Sequence, residues 1–244
     1  MYIRMFGIGR KMLKMVRKVG EKFTPTKIAE KVSSFVTGNT QIADSLTDDE
    51  VDAKDMNNEV YKGVEERRET IGNYTLDKDN SNYEYAAYVD HTNKKVKNVY
   101  RGTASMTDII SDVGVMVGAD RSTTKWKNST RDYAKTKQKY HAGNGYTHAH
   151  TGHSLGGGIA RRIGQDNDEK SVTFNSATGF SAEDLAKSKA CKMSNNRFVY
   201  CKTDTNIKTT GDIVSAMSGS TGKTKVFKSK NGRGILGMHK ISNF

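Results

Sequence analysis

In the stretch THAHTGHSLGGGIARRIG, a serine sits between two glycines, as Gly152-His153-Ser154-Leu155-Gly156. A β-prone segment precedes it and a run of small, helix-compatible residues follows. This is the sequence form of a sharp strand-to-helix turn that lifts a nucleophilic hydroxyl clear of a sheet. The glycines have a steric reason, because the strand and the helix crowd the turn from both sides. The helix start adds N–H groups and the positive end of a dipole near a developing oxyanion. The bland alternative is a flexible glycine turn.

A serine hydroxyl at neutral pH needs a base to activate it, and the base needs an acid to orient it. Behind a nucleophile turn of this kind the chain order is serine, acid, histidine. Only one histidine follows Ser154, namely His239. The acidic residues between them are Asp166, Asp168, Glu169, Glu183, Asp184, Asp204 and Asp212. The first five fall on the helix after the serine, its loop or the next helix, where an orienting acid is not expected. Asp204 and Asp212 both come after the apparent strand RFVYCKT, so the choice rests between them.

The surrounding elements have the texture of an α/β domain. YEYAAYVD (83–90) and VKNVYRGT (96–103) read as a hairpin across the turn HTNKK. Residues 128–142 read as a polar helix, GYTHAHTG as a strand, SLGGGIARRIGQ as a helix, SVTFNSA as a strand and SAEDLAKSK as a helix. RFVYCKTD (197–204) and KTKVFKS (223–229) read as further strands. Strands alternating with helices predict a mainly parallel sheet covered on both faces.

The 244 residues suffice for one large domain of this kind. Forty basic against 27 acidic residues give a formal net charge of +13, which favours anionic partners such as a phospholipid surface. No nucleic-acid-binding motif or aromatic platform accompanies the charge, so a nucleic-acid partner is not expected. Met5, Ile8, Met12, Met15 and Val19 share one helical face and basic residues the other, as in a helix lying on an anionic membrane or packing on a protein. The same basic residues break up any secretion-signal core, so the expectation is an intracellular protein, peripheral on membranes or part of a virion. A second short amphipathic helix is expected over 26–37. The acidic stretch from Asp44 to Glu59 reads as an exposed helix or linker. A division follows: residues 1–38 as a basic amphipathic segment, 39–244 as the folded domain. Cys191 and Cys201 are the only cysteines; two free thiols are expected, a single bridge being the alternative.

VYRGTASMTDIISDV, TGHSLGGGIA, VTFNSATG, GDIVS and a late His-Lys together resemble the class 3 lipases, the fungal-lipase-like α/β-hydrolases, over roughly residues 85–240. The resemblance implies an α/β-hydrolase fold with Ser154 as nucleophile and His239 as base. GDIVS matches the family's Asp-x-Val loop, which implies Asp212 rather than Asp204 as the acid. It also implies an oxyanion hole from the backbone N–H groups of Thr103 and Leu155, and a lid over 104–120, for which a short buried helix is the alternative. The implied activity is hydrolysis of lipid carboxylic esters, as a lipase or phospholipase A-type enzyme working through an acyl-enzyme. The alternative is a relict hydrolase fold serving as a membrane-binding or structural component.

One feature of the strands departs from the pattern. The strand into the serine turn is polar, with His148 and His150 on one face. No carboxylate or thiol lies near them in sequence, so histidines fitted beside the core are expected, with no metal and no cofactor. GSTGKT (219–224) mimics a phosphate-binding loop, but Met217 stands where the first glycine is required.

Overall fold

The computed structural model describes residues 40–103, 123–177, 191–194, 198–212, 214–215, 222–229 and 239–244. The basic N-terminal segment, the expected lid and the expected helix at SAEDLAKSK lie outside the described residues.

Strands buried almost throughout build the middle of the sheet, polar residues such as Lys97 and Asn98 included. In β4 (Tyr85–Asp90) every residue is buried, and in β5 (Lys95–Tyr100) all but the first. That is what strands covered on both faces require. They pair antiparallel as the predicted hairpin, Tyr85 opposite Tyr100 and Asp90 opposite Lys95. Beyond them lie β3 (Tyr74–Asn82) and β2 (Thr70–Ile71) at one edge. On the other side β6 (Thr147–His153), β7 (Lys170–Phe174), β10 (Asp204–Thr209), β11 (Lys223–Phe227) and β1 (Thr40–Ile42) run parallel. The nine-stranded order is β1-β11-β10-β7-β6-β5-β4-β3-β2.

Helices cover both faces. On one lies α1 (Asp48–Glu59), started by a capping box: Thr47 N–H donates to Glu50 Oε2 at 2.8 Å and Glu50 N–H to Thr47 Oγ1 at 3.4 Å. Met56 and Val60 pack with Ile71, Tyr74, Leu76, Ala86, Tyr88 and Val99. The opposite face carries α2 (Thr124–Lys139) and α3 (Leu155–Asn167), where Trp126, Tyr133, Ile159 and Ile163 meet Tyr85, Ala87 and Tyr100. This is the α/β-hydrolase arrangement, a mostly parallel sheet between two helical layers.

Three expectations are corrected. The acidic stretch is not a solvated linker, because α1 buries Glu50, Ala53, Met56, Asn57 and Glu59. Glu50 pairs with Lys225 at 2.6 Å, and Asn57 Nδ2 donates to Thr151 Oγ1 at 2.7 Å, so its polar residues have partners on the sheet. The strand read as RFVYCKTD is two elements. β9 (Phe198–Cys201) belongs to a separate hairpin with β8 (Cys191–Ser194), and the sheet strand is β10, which begins at Asp204. Finally, Cys201 is disulfide-bonded rather than a free thiol. The hairpin register sets the chain's other cysteine, Cys191, directly opposite it.

Candidate active site

The parallel strands β5, β6, β7 and β10 all point their C-terminal ends toward one edge, and the sequence-predicted residues gather there. Ser154 follows β6 and precedes α3, with φ 57° and ψ −128°. That backbone region is costly for a residue with a side chain, by about 1–3 kcal/mol, and persists only where the surroundings over-determine it. Here they do. A β-carbon on Gly152 would run into the backbone of Gly156, and one on Gly156 into the carbonyl of Tyr100. The strand before Ser154, the helix after it and the end of β5 therefore touch backbone to backbone. Ser154 N–H donates to Phe174 O at 3.1 Å, and Ser154 O accepts from Ala177 N–H at 2.9 Å, which ties the turn to the end of β7.

His239 Nδ1 lies 2.8 Å from Asp212 Oδ1, both side chains being fully buried. A carboxylate oxygen accepts, so Nδ1 carries the proton and Nε2 holds a lone pair. The second oxygen of Asp212 accepts from Ser215 N–H at 2.9 Å. Burial alone would push the Asp212 carboxyl up. The hydrogen bond and charge of His239, with the bonds from Ser215, outweigh it and hold the group below the ordinary carboxylate value. Ser154 Oγ and His239 Nε2 are both buried and have no hydrogen-bond partner among the described residues.

The other candidate acid sits elsewhere. Asp204 opens β10, at the far end of that strand from Asp212, and accepts from Gln165 Nε2 at 2.6 Å and Ser171 Oγ at 2.9 Å. Arg161 Nε is 3.6 Å from it. The carboxylate pins α3 to β7 and β10.

Two residues without an assigned role hold His239 against the serine turn. His153, immediately before Ser154, places its ring centroid 4.7 Å from that of His239. Its Nε2 is 2.7 Å from His239 O, a carbonyl that only accepts. His153 therefore donates from Nε2 and accepts at Nδ1 from Tyr61 O–H, 3.1 Å away. Burial, and then the charge of His239, bring its pKa down to about 3, so the ring is neutral. Asn175, at φ 42°, donates from Nδ2 to His239 O at 3.3 Å, and its Oδ1 accepts from Thr209 N–H at 2.9 Å. The only signal in the sequence was adjacency, His153 to Ser154 and Asn175 to the end of a strand.

Gly102 follows β5 and leans on the same turn. A β-carbon there would stand 2.6 Å from His153 O and 3.3 Å from Ser154 Cβ. Thr103 is next to it, and Leu155 is the first residue of α3, whose N–H has no acceptor within the helix. Both expected oxyanion donors thus adjoin Ser154 along the chain or across the Gly102 contact. The expected lid lies outside the described residues.

His148 and His150 stand on the α2–α3 face with both ring nitrogens occupied. His148 Nε2 donates to Tyr140 O at 2.7 Å and Nδ1 accepts from Asn98 Nδ2 at 3.3 Å. His150 Nε2 donates to Glu169 Oε2 at 2.7 Å and Nδ1 accepts from Tyr100 O–H at 3.0 Å. Among the described residues no group of three or more His, Cys, Asp or Glu is placed to hold a metal ion.

A strained serine on a strand–helix turn, at the C-terminal edge of such a sheet, defines the α/β-hydrolase class. Residues 44–240 match the Tle-like phospholipase domain, a phospholipase-like family. The chain belongs to that family and is a lipase/phospholipase-type hydrolase, in agreement with the resemblance to class 3 lipases. No curated protein sequence matches it. Among solved structures, the Lip2 lipase of Yarrowia lipolytica is similar at 22% identity over 75% of this chain and 83% of that one, with a TM-score of 0.43. A deletion mutant of the Rhizomucor miehei lipase, in a propeptide complex, is similar at 16% identity over 71% of this chain and 63% of that one, TM-score 0.40.

Proposed function

We propose that the chain hydrolyses a carboxylic ester of a phospholipid with Ser154 as nucleophile, His239 as general base and Asp212 as its orienting acid. The observation that carries this is the Asp212–His239 pair beside the serine turn. His239 Nδ1 is committed to Asp212, its Nε2 is left as an acceptor, and Ser154 Oγ has no competing bond among the described residues. In acylation the Ser154 oxygen bonds to the ester carbonyl carbon while its proton passes to His239 Nε2. The tetrahedral oxyanion collapses, the alcohol leaves, and the imidazolium returns the proton to it. Water then attacks the acyl-serine by the same route and the fatty acid departs. The N–H groups of Thr103 and Leu155 are assigned to the oxyanion, each worth about 3 kcal/mol in the transition state.

The basic excess of +13 supports action at an anionic phospholipid surface. No helix among the described residues is long and apolar enough to cross a membrane.

The decisive experiment compares wild type with Ser154→Ala on p-nitrophenyl butyrate and on phospholipid vesicles. Ser154→Ala should lose activity on both by a factor of at least about a thousand. Equal turnover by the two proteins overturns the assignment, and inactivity of both favours a relict fold that binds membranes.

A further inference from the structure

Lys208 lies on β10, just before the turn that carries Asp212, and only 6% of the residue is exposed. A lysine is a costly choice for that place. Across the strand pair its neighbour is Val226. Asp204 shares its face of β10, and Arg161 of α3 meets that carboxylate at 3.6 Å. A second cation is therefore close by. Burial, and then the charge of Arg161, bring the Lys208 pKa down to about 7, with Asp212 acting the other way. A methionine would fill similar volume without desolvating a charge.

What the lysine does there is visible in its hydrogen bond. Lys208 Nζ donates to Ser215 O at 2.8 Å. Ser215 N–H in turn donates to Asp212 Oδ2 at 2.9 Å, and Val214 N–H donates to Asp212 Oδ1 at 3.3 Å. Ser215 is thus held at both backbone ends, its carbonyl by the strand lysine and its amide by the carboxylate. Asp212 Oδ1 is also the oxygen that accepts from His239 Nδ1. The segment that aims this carboxylate at the base is the segment that Lys208 ties down.

We propose that Lys208 is a positioning residue for the acid: it holds the Ser215 turn so that Asp212 keeps its grip on His239, and its charge opposes protonation of the free base. This rests on the reading of Asp212 as the group that orients His239, and adds a residue that acts only through it. A cation beside the carboxylate weakens its attraction for an imidazolium, so the base stays unprotonated to lower pH. The charged groups that act on Lys208 are Arg161 on α3 and Asp212 on the turn, with Asp204 further back along β10 and His239 beyond Asp212. Below about 7 the ammonium prevails and the charge is in force. Above it the amine still has an N–H to give Ser215 O.

The test has two arms. Kinetics on p-nitrophenyl butyrate, from about pH 5 to about pH 9, compare wild type with Lys208→Met and Lys208→Gln after scanning calorimetry of each. In Lys208→Met, kcat should fall roughly tenfold with KM little changed, while Tm stays level or rises. The acid limb of kcat/KM should move up by about half a pH unit. Lys208→Gln keeps an amide donor for Ser215 O, so it should recover most of kcat yet retain the moved limb. An unmoved limb, or an unchanged kcat in Lys208→Met, overturns the proposal. So does failure of both variants to fold, since Lys208 would then serve the fold alone. The second arm follows the Nδ1 proton of His239 by NMR in Ser154→Ala protein, with and without Lys208→Met. The resonance should broaden and exchange faster with water once Lys208 is gone. An unchanged resonance overturns the proposal, and its absence from both proteins overturns the Asp212–His239 reading as well. Because this arm needs no turnover, an error in the serine assignment would leave it standing and would appear only in the kinetics.

Discussion

The division of labour on His239 is set by hydrogen-bond chemistry. Asp212 accepts from Nδ1, and that one contact fixes the tautomer in which Nε2 can take a proton. Asp212→Asn removes the charge and offers an amide that can drive the imidazole into the wrong tautomer. A loss of roughly ten-thousandfold in kcat on p-nitrophenyl butyrate is expected, with KM little changed. A fall of less than tenfold would mean that another group orients the base. Asp204→Asn serves as the contrast, since its carboxylate is engaged with Gln165 and Ser171. That variant should show its effect in thermal stability.

At the scale of elements, the serine turn depends on α3 approaching β5 without a side chain between them. Gly156→Ala would thrust a methyl group onto the Tyr100 carbonyl. Overpacking of this kind costs about 1–3 kcal/mol or more, a drop of several degrees in Tm by scanning calorimetry. A variant as stable as wild type would show that the helix can ride outward freely. Those glycines were legible because steric need leaves a local signature, as it does in the β4–β5 hairpin with its aromatic run and short turn. The burial of α1 was not legible. Its polar residues look solvated until Lys225 reaches Glu50 and Thr151 reaches Asn57 from distant strands. The β9–β10 boundary was hidden for a similar reason. RFVYC has strand composition, and only tertiary pairing assigns it to a side hairpin, leaving the more polar DTNIKT as the sheet strand. Asp212 came out correctly placed after a sheet strand, although the strand was misidentified.

For the molecule as a whole, the buried histidines, Glu169 and Lys208 bias stability in one direction. His153 is held down to about 3, and burial also lowers His148 and His150 below the usual 6.5. Burial would raise Glu169, but hydrogen bonds from His150, Lys137 and Tyr133 hold it at about 2. Lys208 is lowered to about 7 by burial and by the charge of Arg161. In each case the unfolded chain binds more protons, so stability rises with pH through the interval between the folded and unfolded values. Above about 10 the sign reverses, because burial keeps Tyr85 and Tyr100 protonated where the unfolded chain loses those protons. The urea midpoint should therefore climb from about pH 4 to about pH 9, and a flat profile would contradict the assigned burial. The cysteine bridge makes a separate prediction. Unfolded, unreduced protein should show no thiol by Ellman titration, and two thiols would restore the reduced state expected from the sequence. Phe244, finally, is packed between Phe174 and Phe227 with ring centroids 5.3 and 5.8 Å away, only five positions beyond His239. A tag fused after that residue would leave from inside the core, five positions from His239. Tethering the protein to a bead or sensor chip through Phe244 would pull on the segment that carries His239, so an immobilised sample is expected to lose activity that the same protein keeps in solution.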